Sequence, residues 1–193
     1  RAFLSAKMYE LPMPLFSAID DTEAARLCPH APVVHNKSIK RLRIGYVSSD
    51  FGNHPLAHLT QSIFGMHQRQ RFDIICYSLS AHDASQWRRK IEAQVESFVD
   101  ISHLTARDAG LTIRSHDVDL LVNLNGYTKG ARNEIFALQP APLQISYMGF
   151  CGTLGASYVQ YMVADHTVIP KEHAQFYSES IIRLPHSYFV NDH

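Results

Sequence analysis

The feature that most constrains the fold is a series of short apolar segments without polar alternation, separated by segments of helical periodicity. Uniformly apolar strands are typical of parallel sheets that are covered on both faces. The sequence predicts six such strands, at residues 44–48, 72–79, 98–101, 119–125, 143–148 and 158–164. Between them, apolar residues three and four positions apart predict helices at residues 56–67, 84–96, 105–116 and 132–138.

This alternation predicts an α/β fold, a Rossmann-like doubly wound parallel sheet built from βαβ crossovers. The residues before the first predicted strand have a different pattern, because four prolines interrupt them and only residues 17–27 have helical periodicity. We therefore expect residues 1–41 to form a helical approach segment and residues 42–193 to form one α/β lobe.

Composition excludes several classes of protein. Eighteen Lys and Arg residues balance eighteen Asp and Glu residues, and this balance argues against a nucleic-acid partner. The three cysteines, Cys28, Cys76 and Cys151, show no CxxC spacing, so the sequence predicts neither a disulfide framework nor a zinc ribbon. No apolar run approaches the roughly 20 residues that cross a bilayer, so we expect no membrane partner.

In an open α/β sheet, ligands bind beyond the carboxyl ends of the strands. The first loop at that edge is SSDFGNHP, residues 48–55. Pro55 suits the first position of a helix, and Asn53 or His54 would cap it, so the first helical amides could stabilise an anion. A neutral His54 could accept a proton or bind a sugar hydroxyl. Alternatively, Asp50, Asn53 and His54 only satisfy the loop backbone.

His54 and His58 also have the i, i+4 spacing of a zinc-binding pair. No Glu follows the first histidine, as the HExxH pattern requires. The sequence therefore predicts no metal site.

The second loop, residues 123–134, contains NGYTKGARNE. Lys129 and Arg132 place two cations at the start of a predicted helix, where they could balance a phosphate. The Walker spacing is absent, and the alternative is a solvated turn with ordinary surface charges.

The third loop, residues 148–156, spaces its glycines as GxxGxxG rather than GxGxxG, which disfavours NAD binding. Its backbone could contact a small polar ligand, or the loop could simply be tight. Cys151 has apolar neighbours in the sequence, so we expect it to be structural rather than nucleophilic.

Three segments carry a resemblance to a known family: LRIGYVSSDFGNHPLAHLTQSI, LVNLNGYTKGARNEIFALQPAPLQISYMGF and LPHSYFVNDH. Together they resemble the amino-terminal half of the catalytic region of the O-GlcNAc transferases, which transfer N-acetylglucosamine from UDP-GlcNAc to Ser and Thr of intracellular proteins. The resemblance runs from about residue 42 to residue 193. It implies a GT-B glycosyltransferase, with two Rossmann-like lobes and the active site between them. This chain would hold the first lobe.

The resemblance also implies roles for particular residues. Asp50 is expected to be a proton relay or base, and His54 to position the substrate and accept a proton. Gly149 is expected to lie close to the sugar. With Lys129 added for its charge, the expected substrate-binding residues are Asn53, Pro55, Lys129, Arg132, Met148 and Gly149.

The implied reaction is an inverting displacement with UDP-GlcNAc as donor and no metal or other cofactor. The implied partners are Ser/Thr-containing acceptor proteins, a second, C-terminal catalytic lobe that supplies most UDP contacts, and an upstream tetratricopeptide region. The expected location is the cytoplasm and nucleus. We expect the chain to be inactive alone.

Two alternatives stay open. Related plant enzymes transfer fucose from GDP-fucose, and a lobe of this kind could also serve as a non-catalytic binding or scaffold module. Leu56 stands where the animal enzymes have Thr, Cys151 where they have Pro, and Met148 where they have Leu. These differences bear on the identity of the donor.

Overall fold

The computed structural model describes residues 41–192, so the predicted helix at residues 17–27 and Cys28 lie outside the described part of the chain. The described residues form a seven-stranded sheet in which all neighbouring strands are parallel. The strands are β1 (Leu42–Ser48), β2 (Phe72–Ser78), β3 (Ser97–Asp100), β4 (Leu120–Asn123), β5 (Leu143–Ser146), β6 (Tyr161–Ala164) and β7 (Ser180–Arg183).

Short helices connect the strands. His54, Ser85 and Thr105 each accept a hydrogen bond from an amide in the first turn of a helix, so the first three α-helices begin at side-chain caps. None of the helices within residues 41–192 is long and apolar enough to span a membrane. They are α1 (Pro55–Thr60), α2 (Gln86–Glu92), α3 (Ala106–Ser115) and α4 (Asn133–Ala137), with 3₁₀ turns at Ile63–Met66 and Lys171–Phe176.

The strand order is β3-β2-β1-β4-β5-β6-β7, so β1 pairs with β2 on one side and with β4 on the other. Ile44 of β1, for example, lies opposite Ile74 of β2 and Leu120 of β4. The order reverses between β1 and β4, and this is the topological switch point of the sheet.

Both faces of the sheet are covered. One core cluster includes side chains of α1 and α2, and the other includes side chains of α3 and α4. Within β1, Tyr46 belongs to the first cluster and Val47 to the second. Burial on both faces explains why the central strands are uniformly apolar, and the predicted doubly wound α/β fold is confirmed.

The predicted helix at residues 56–67 is wrong in its second half. The α-helix ends at Thr60, whose hydroxyl donates to the Leu56 carbonyl over 2.8 Å and so competes for a helical acceptor. The chain continues as a 3₁₀ turn, in which the Gly65 amide donates to the Ser62 carbonyl at 3.2 Å.

The predicted helix at residues 84–96 is shorter than expected. Ala84 has a left-handed backbone with φ of 58°, and Ser85 is the N-cap, so α2 begins only at Gln86. At the other end, the Gln94 amide donates to the Ile91 carbonyl at 3.0 Å, a three-residue spacing that closes the last turn tightly.

Two predicted strands also end early, because the chain turns into the loops at the carboxyl edge of the sheet. Strand β4 ends at Asn123 rather than at residue 125, and β5 ends at Ser146 rather than at residue 148. Gly126 and Met148 both have left-handed backbones, with φ of 60° and 66° respectively, which no strand accommodates.

The sequence did not predict β7. It is an edge strand of four residues in which exposed and half-buried residues alternate, and Ile182 is 41% exposed. Such a strand lacks the continuous apolar run that marks the central strands.

The segment after β7, residues 184–192, returns over the sheet on the side of α1 and α2. Tyr188 is buried in the same cluster as Met148, and the Tyr147 hydroxyl donates to the Tyr188 carbonyl at 2.9 Å. Asp192 accepts a hydrogen bond from the Ser62 hydroxyl at 2.7 Å and forms an ion pair with Lys90 at 3.0 Å. Residues 184–192 of the motif LPHSYFVNDH are therefore part of the packed lobe.

Candidate active site

The candidate site lies at the switch point, where the loops after β1 and β4 leave the sheet side by side. The loop after β1 leads to α1 on one face, and the loop after β4 leads to α4 on the other. Ligands of open α/β sheets bind in this crevice. The loops that sequence analysis selected therefore meet at one edge.

Asn125 joins the two loops. Its side-chain oxygen accepts a hydrogen bond from the Ser49 amide at 2.8 Å, and its nitrogen donates to the Ser49 hydroxyl at 2.9 Å. The same nitrogen donates to Oδ2 of Asp50 at 2.8 Å. Sequence analysis did not select Asn125 as a site residue, although it lies within the NGYTKGARNE segment.

Asp50 and His54 lie near each other on the loop after β1. Oδ2 of Asp50 is 3.8 Å from Nδ1 of His54, too far for a hydrogen bond. The Asp50 side chain is 12% exposed and the His54 side chain is 49% exposed. The carboxylate is thus fixed within the wall of the crevice, and the imidazole projects from it.

The cap of α1 determines which ring nitrogen of His54 carries the proton. Nδ1 accepts the Leu56 amide hydrogen at 3.2 Å, so in the neutral ring the proton is on Nε2. The exposed nitrogen is therefore a donor in this arrangement. Pro55 occupies the first helical position, as predicted. Leu56 is buried in the core, so its side chain is not available to a ligand.

Asn53 is not the cap of α1. Its amide donates to Oδ2 of Asp83 at 2.6 Å, and its side-chain oxygen pairs with Nε2 of His58 at 3.1 Å. Partial desolvation opposes ionisation of Asp83, but the amides of Ser85 and Asn53 outweigh it and lower the pKa of the carboxyl below its usual value. Asp83 therefore links the loop after β2 to the loop after β1.

Lys129 and Arg132 have different surroundings. Lys129 is exposed, and its carbonyl oxygen lies 3.2 Å from the Ser49 hydroxyl oxygen. Nε of Arg132 donates to Glu134 at 3.2 Å, and its Nη1 donates to the Ile101 carbonyl at 3.3 Å. The guanidinium is thus committed to protein partners, whereas the Lys129 ammonium is ion-paired with no carboxylate within residues 41–192.

The loop after β5 packs against the loop after β4 through backbone. A Cβ atom added to Gly149 would lie 1.8 Å from the Leu124 carbonyl oxygen, and one added to Gly126 would lie 2.4 Å from Cβ of Phe150. These glycines permit the close approach of two loops. The Met148 side chain is only 6% exposed and packs in the core, so a sugar contact from this residue would have to come from its backbone.

The remaining sequence candidates are resolved by their surroundings. Cys151 is exposed, and its structural role stays a prediction, whereas Cys76 is buried, and desolvation raises the pKa of its thiol. His58 pairs with Asn53, and its ring packs against Trp87 with centroids 4.1 Å apart at a tilt of 35°. Within residues 41–192, no three His, Cys, Asp or Glu side chains cluster closely enough to hold a metal ion.

Arg88 is a second residue that sequence analysis missed. It is 2% exposed, and its Nη1 donates to the Ser78 hydroxyl at 2.8 Å and to the Phe51 carbonyl at 3.3 Å. Its guanidinium lies 4.3 Å from the centre of the Phe98 ring. The arginine therefore holds the loop after β1 through the Phe51 carbonyl. Its position three residues before Ile91 places it on the buried face of α2, and this is the signal that could have found it.

The fold and the site together define the amino-terminal lobe of a GT-B glycosyltransferase. The lobe is similar to a solved structure of a mutant of Thermobaculum terrenum O-GlcNAc transferase, with a TM-score of 0.77 and 29% identity. That match covers 84% of this chain and 31% of the solved chain. The chain belongs to glycosyl transferase family 41, whose family model matches residues 22–193.

Relatives in this family are close. The chain is 55% identical over 162 residues to the probable UDP-N-acetylglucosamine–peptide N-acetylglucosaminyltransferase SEC of Arabidopsis thaliana. It is 46% identical over 165 residues to the UDP-N-acetylglucosamine–peptide N-acetylglucosaminyltransferase of Caenorhabditis elegans. These matches cover 84% and 85% of this chain but only 17% and 14% of the relatives. The chain thus spans less than a fifth of their length.

Proposed function

We propose that this chain forms one wall of the active site of an inverting protein O-GlcNAc transferase. The donor is UDP-GlcNAc, and the acceptors are Ser and Thr hydroxyls of proteins. The observation that carries the proposal is the convergence of Asp50, His54 and the NGYTKGARNE loop at the switch point, in a chain 55% identical to a named peptide N-acetylglucosaminyltransferase. A second, C-terminal lobe supplies the opposite wall.

The two titratable residues have separate roles in this proposal. A hydroxyl is a weak nucleophile, so a base within hydrogen-bond reach accelerates its attack on the anomeric carbon. Asp50 is the residue of this wall that can accept the proton, directly or through a relay. His54 donates from Nε2 to a sugar or phosphate oxygen, because its Nδ1 is engaged by the Leu56 amide.

The other site residues contact the donor from the loops. Asn53 and Pro55 border His54, the backbone of Met148 and Gly149 approaches the sugar, and Lys129 offers a cation to the diphosphate. Arg132 would have to leave Glu134 to do the same. No metal or cofactor is required if fixed donors from both lobes offset the charge of the leaving UDP.

The proposal extends to partners and location. The full-length protein would carry a tetratricopeptide region upstream of the lobe and would act on acceptor proteins in the cytoplasm and nucleus. The lobe alone would not turn over donor, because half of the crevice belongs to the second lobe.

The test measures transfer of GlcNAc from UDP-GlcNAc to a Ser/Thr peptide by the full-length protein and by its His54→Asn variant. Asn is a good N-cap, so this change retains the start of α1 but removes the Nε2 donor. We expect transfer to fall by about 100-fold, the effect typical of removing one fixed donor, with little change in melting temperature. His173→Asn, the same change at an exposed histidine, should have no effect.

Three results would contradict the proposal. Wild-type activity in His54→Asn would exclude the role of this residue. Transfer of fucose from GDP-fucose in preference to GlcNAc would move the protein to the other donor class. Absence of turnover with either donor would favour a binding or scaffold module.

A further inference from the structure

We infer that Asn125 is the positioning residue that orients the Asp50 carboxylate, an inference that rests on the proposed function. Each carboxylate oxygen of Asp50 accepts one hydrogen bond from a fixed neighbour. Nδ2 of Asn125 donates to Oδ2 at 2.8 Å, and the Ser49 hydroxyl donates to Oδ1 at 2.8 Å. The Asp50 amide in turn donates to the Ser48 hydroxyl at 3.0 Å. The carboxylate therefore has one orientation, set by one donor from each of the two loops.

The contacts of Asn125 require an amide and no other group. Its oxygen must accept the Ser49 amide hydrogen while the two hydrogens of its nitrogen point to Asp50 and to the Ser49 hydroxyl, with the Thr128 hydroxyl oxygen 3.1 Å from the same nitrogen. A carboxylate of the same shape could accept the first hydrogen but would face Asp50 with a like charge. A hydroxyl could not reach both sides.

A buried pair of amides holds Asn125 in place. Oδ1 of Asn123 accepts the backbone amides of Asn125 and Gly126, each at 2.9 Å. Nδ2 of Asn123 donates to Oδ1 of Asn133 at 2.9 Å, and Nδ2 of Asn133 donates to the Gly126 carbonyl at 2.8 Å. All three asparagines are at most 4% exposed. The network is buried and its members bond to one another, so it holds the loop after β4 in one geometry.

The donors on Asp50 are neutral, and this matters for a group that must take up a proton. The His54 imidazole lies on the same loop, with Nδ1 3.8 Å from Oδ2 of Asp50. Lys129 lies on the facing loop, where its backbone carbonyl, rather than its ammonium, is 3.2 Å from the Ser49 hydroxyl. The described residues include no guanidinium bonded to Asp50. Hydrogen bonds from an amide and a hydroxyl therefore orient the carboxylate without a charge-assisted bond from a cation.

The test is Asn125→Asp in the full-length protein, with GlcNAc transfer followed from pH 5 to pH 9. The change keeps the shape and the acceptor for Ser49 but replaces the donor to Asp50 with a second carboxylate. We expect kcat to fall by about 100-fold at neutral pH. The optimum should move to lower pH, where one proton shared by the two carboxyls restores the hydrogen bond. KM for UDP-GlcNAc should change little, because Asn125 acts through Asp50.

Two further variants separate positioning from stability. Asn191→Asp adds the same charge at an exposed residue and should leave kcat and the pH profile unchanged. The double variant Asp50→Asn/Asn125→Asp reverses donor and acceptor, so it should recover the melting temperature lost in Asn125→Asp but not the activity.

The outcomes are distinguishable. An Asn125→Asp variant with the wild-type kcat and pH optimum would overturn the inference while leaving the proposed function intact. If the wild-type protein transfers no GlcNAc, the proposed function fails. The melting temperatures then still test the contact between the two loops. If the double variant is as unstable as Asn125→Asp, the proposed contact between Asp50 and Asn125 is wrong. This comparison is possible even where the single variant does not fold.

Discussion

The two ends of the sheet both carry polar clusters, but they are built differently. At the amino end, Arg41 pairs with Glu96 at 3.2 Å and Arg43 pairs with Asp73 at 3.4 Å, so cations and carboxylates compensate each other. At the carboxyl end, neutral amides and hydroxyls hold the carboxylate of Asp50. The amino end neutralises its charges, whereas the carboxyl end orients a charge and keeps it available.

This difference indicates which end does chemistry. An ion-paired carboxylate that has a guanidinium partner is a poor proton acceptor, because the pairing favours its ionised form. The Asp50 carboxylate has no guanidinium partner and lies beside the half-exposed His54 imidazole, which is the arrangement that the proposed function requires of a proton acceptor. Both ends are polar, so polarity alone does not distinguish them. The groups that bond to each carboxylate do.

The largest effect expected is on catalysis. Asp50→Asn should reduce GlcNAc transfer by the full-length protein by about 10²- to 10⁴-fold, the range typical of a lost general base. Asp73→Asn, the same change at the amino end, should leave transfer unchanged. Equal losses in the two variants, measured with the same peptide acceptor, would remove the distinction between the ends.

The next effect is on the packing of the ligand-side loops. Gly149→Ala should lower the free energy of unfolding by about 3 kcal/mol, because the new methyl group meets a backbone oxygen that cannot move aside. Gly110→Ala in α3 is the matched control. There the methyl group meets only the flexible end of Leu138, and a helical alanine is favourable. Urea denaturation of both variants measures the difference, and similar unfolding free energies would contradict it.

A smaller effect is expected at the amino end. Asp73→Asn should cost less than about 1 kcal/mol of unfolding free energy, because half-exposed ion pairs contribute little. The cost should shrink further in 1 M salt, which screens such pairs. A loss of several kcal/mol in thermal or urea unfolding would show that this cluster is a structural centre rather than a surface network.

The smallest effect concerns acid stability near β6. The amides of Tyr188 and Val168 lower the pKa of Asp165 below its usual 3.8. This stabilisation is fully present above pH 4 and is lost as the pH falls through the lower folded-state pKa. Asp165→Asn should therefore flatten the fall in melting temperature between pH 4 and pH 2. A melting temperature that falls as steeply in the variant as in the wild-type protein between pH 4 and pH 2 would contradict the assignment.

Much of the fold follows from sequence because its signals are local. The segments that became β1, β2 and β4 are apolar on both faces, and only a covered parallel sheet explains such runs. The ends of the elements depend on contacts that the sequence does not display. The Thr60 hydroxyl that closes α1 and the left-handed Ala84 that delays α2 are examples. The edge strand β7 has no apolar run, so its pairing with β6 decides its structure.

The candidate site is only partly predictable for the same reason. Asp50, His54 and Pro55 are visible because polar residues and a proline follow an apolar strand. Asn125 and Arg88 matter through partners that are distant in the chain, with Ser49 lying 76 residues from Asn125. Arg132 shows the converse, because its charge suggested a phosphate ligand but its guanidinium is engaged by protein groups.

The most direct test of the central claim is a crystal structure of the full-length protein with UDP-GlcNAc and a Ser/Thr peptide. We predict that the sugar contacts residues 50–55 and that the acceptor hydroxyl lies within reach of the Asp50 carboxylate, with Asn125 still bonded to that carboxylate. A donor bound without contact to residues 50–55 would contradict the assignment of this loop as a wall of the active site.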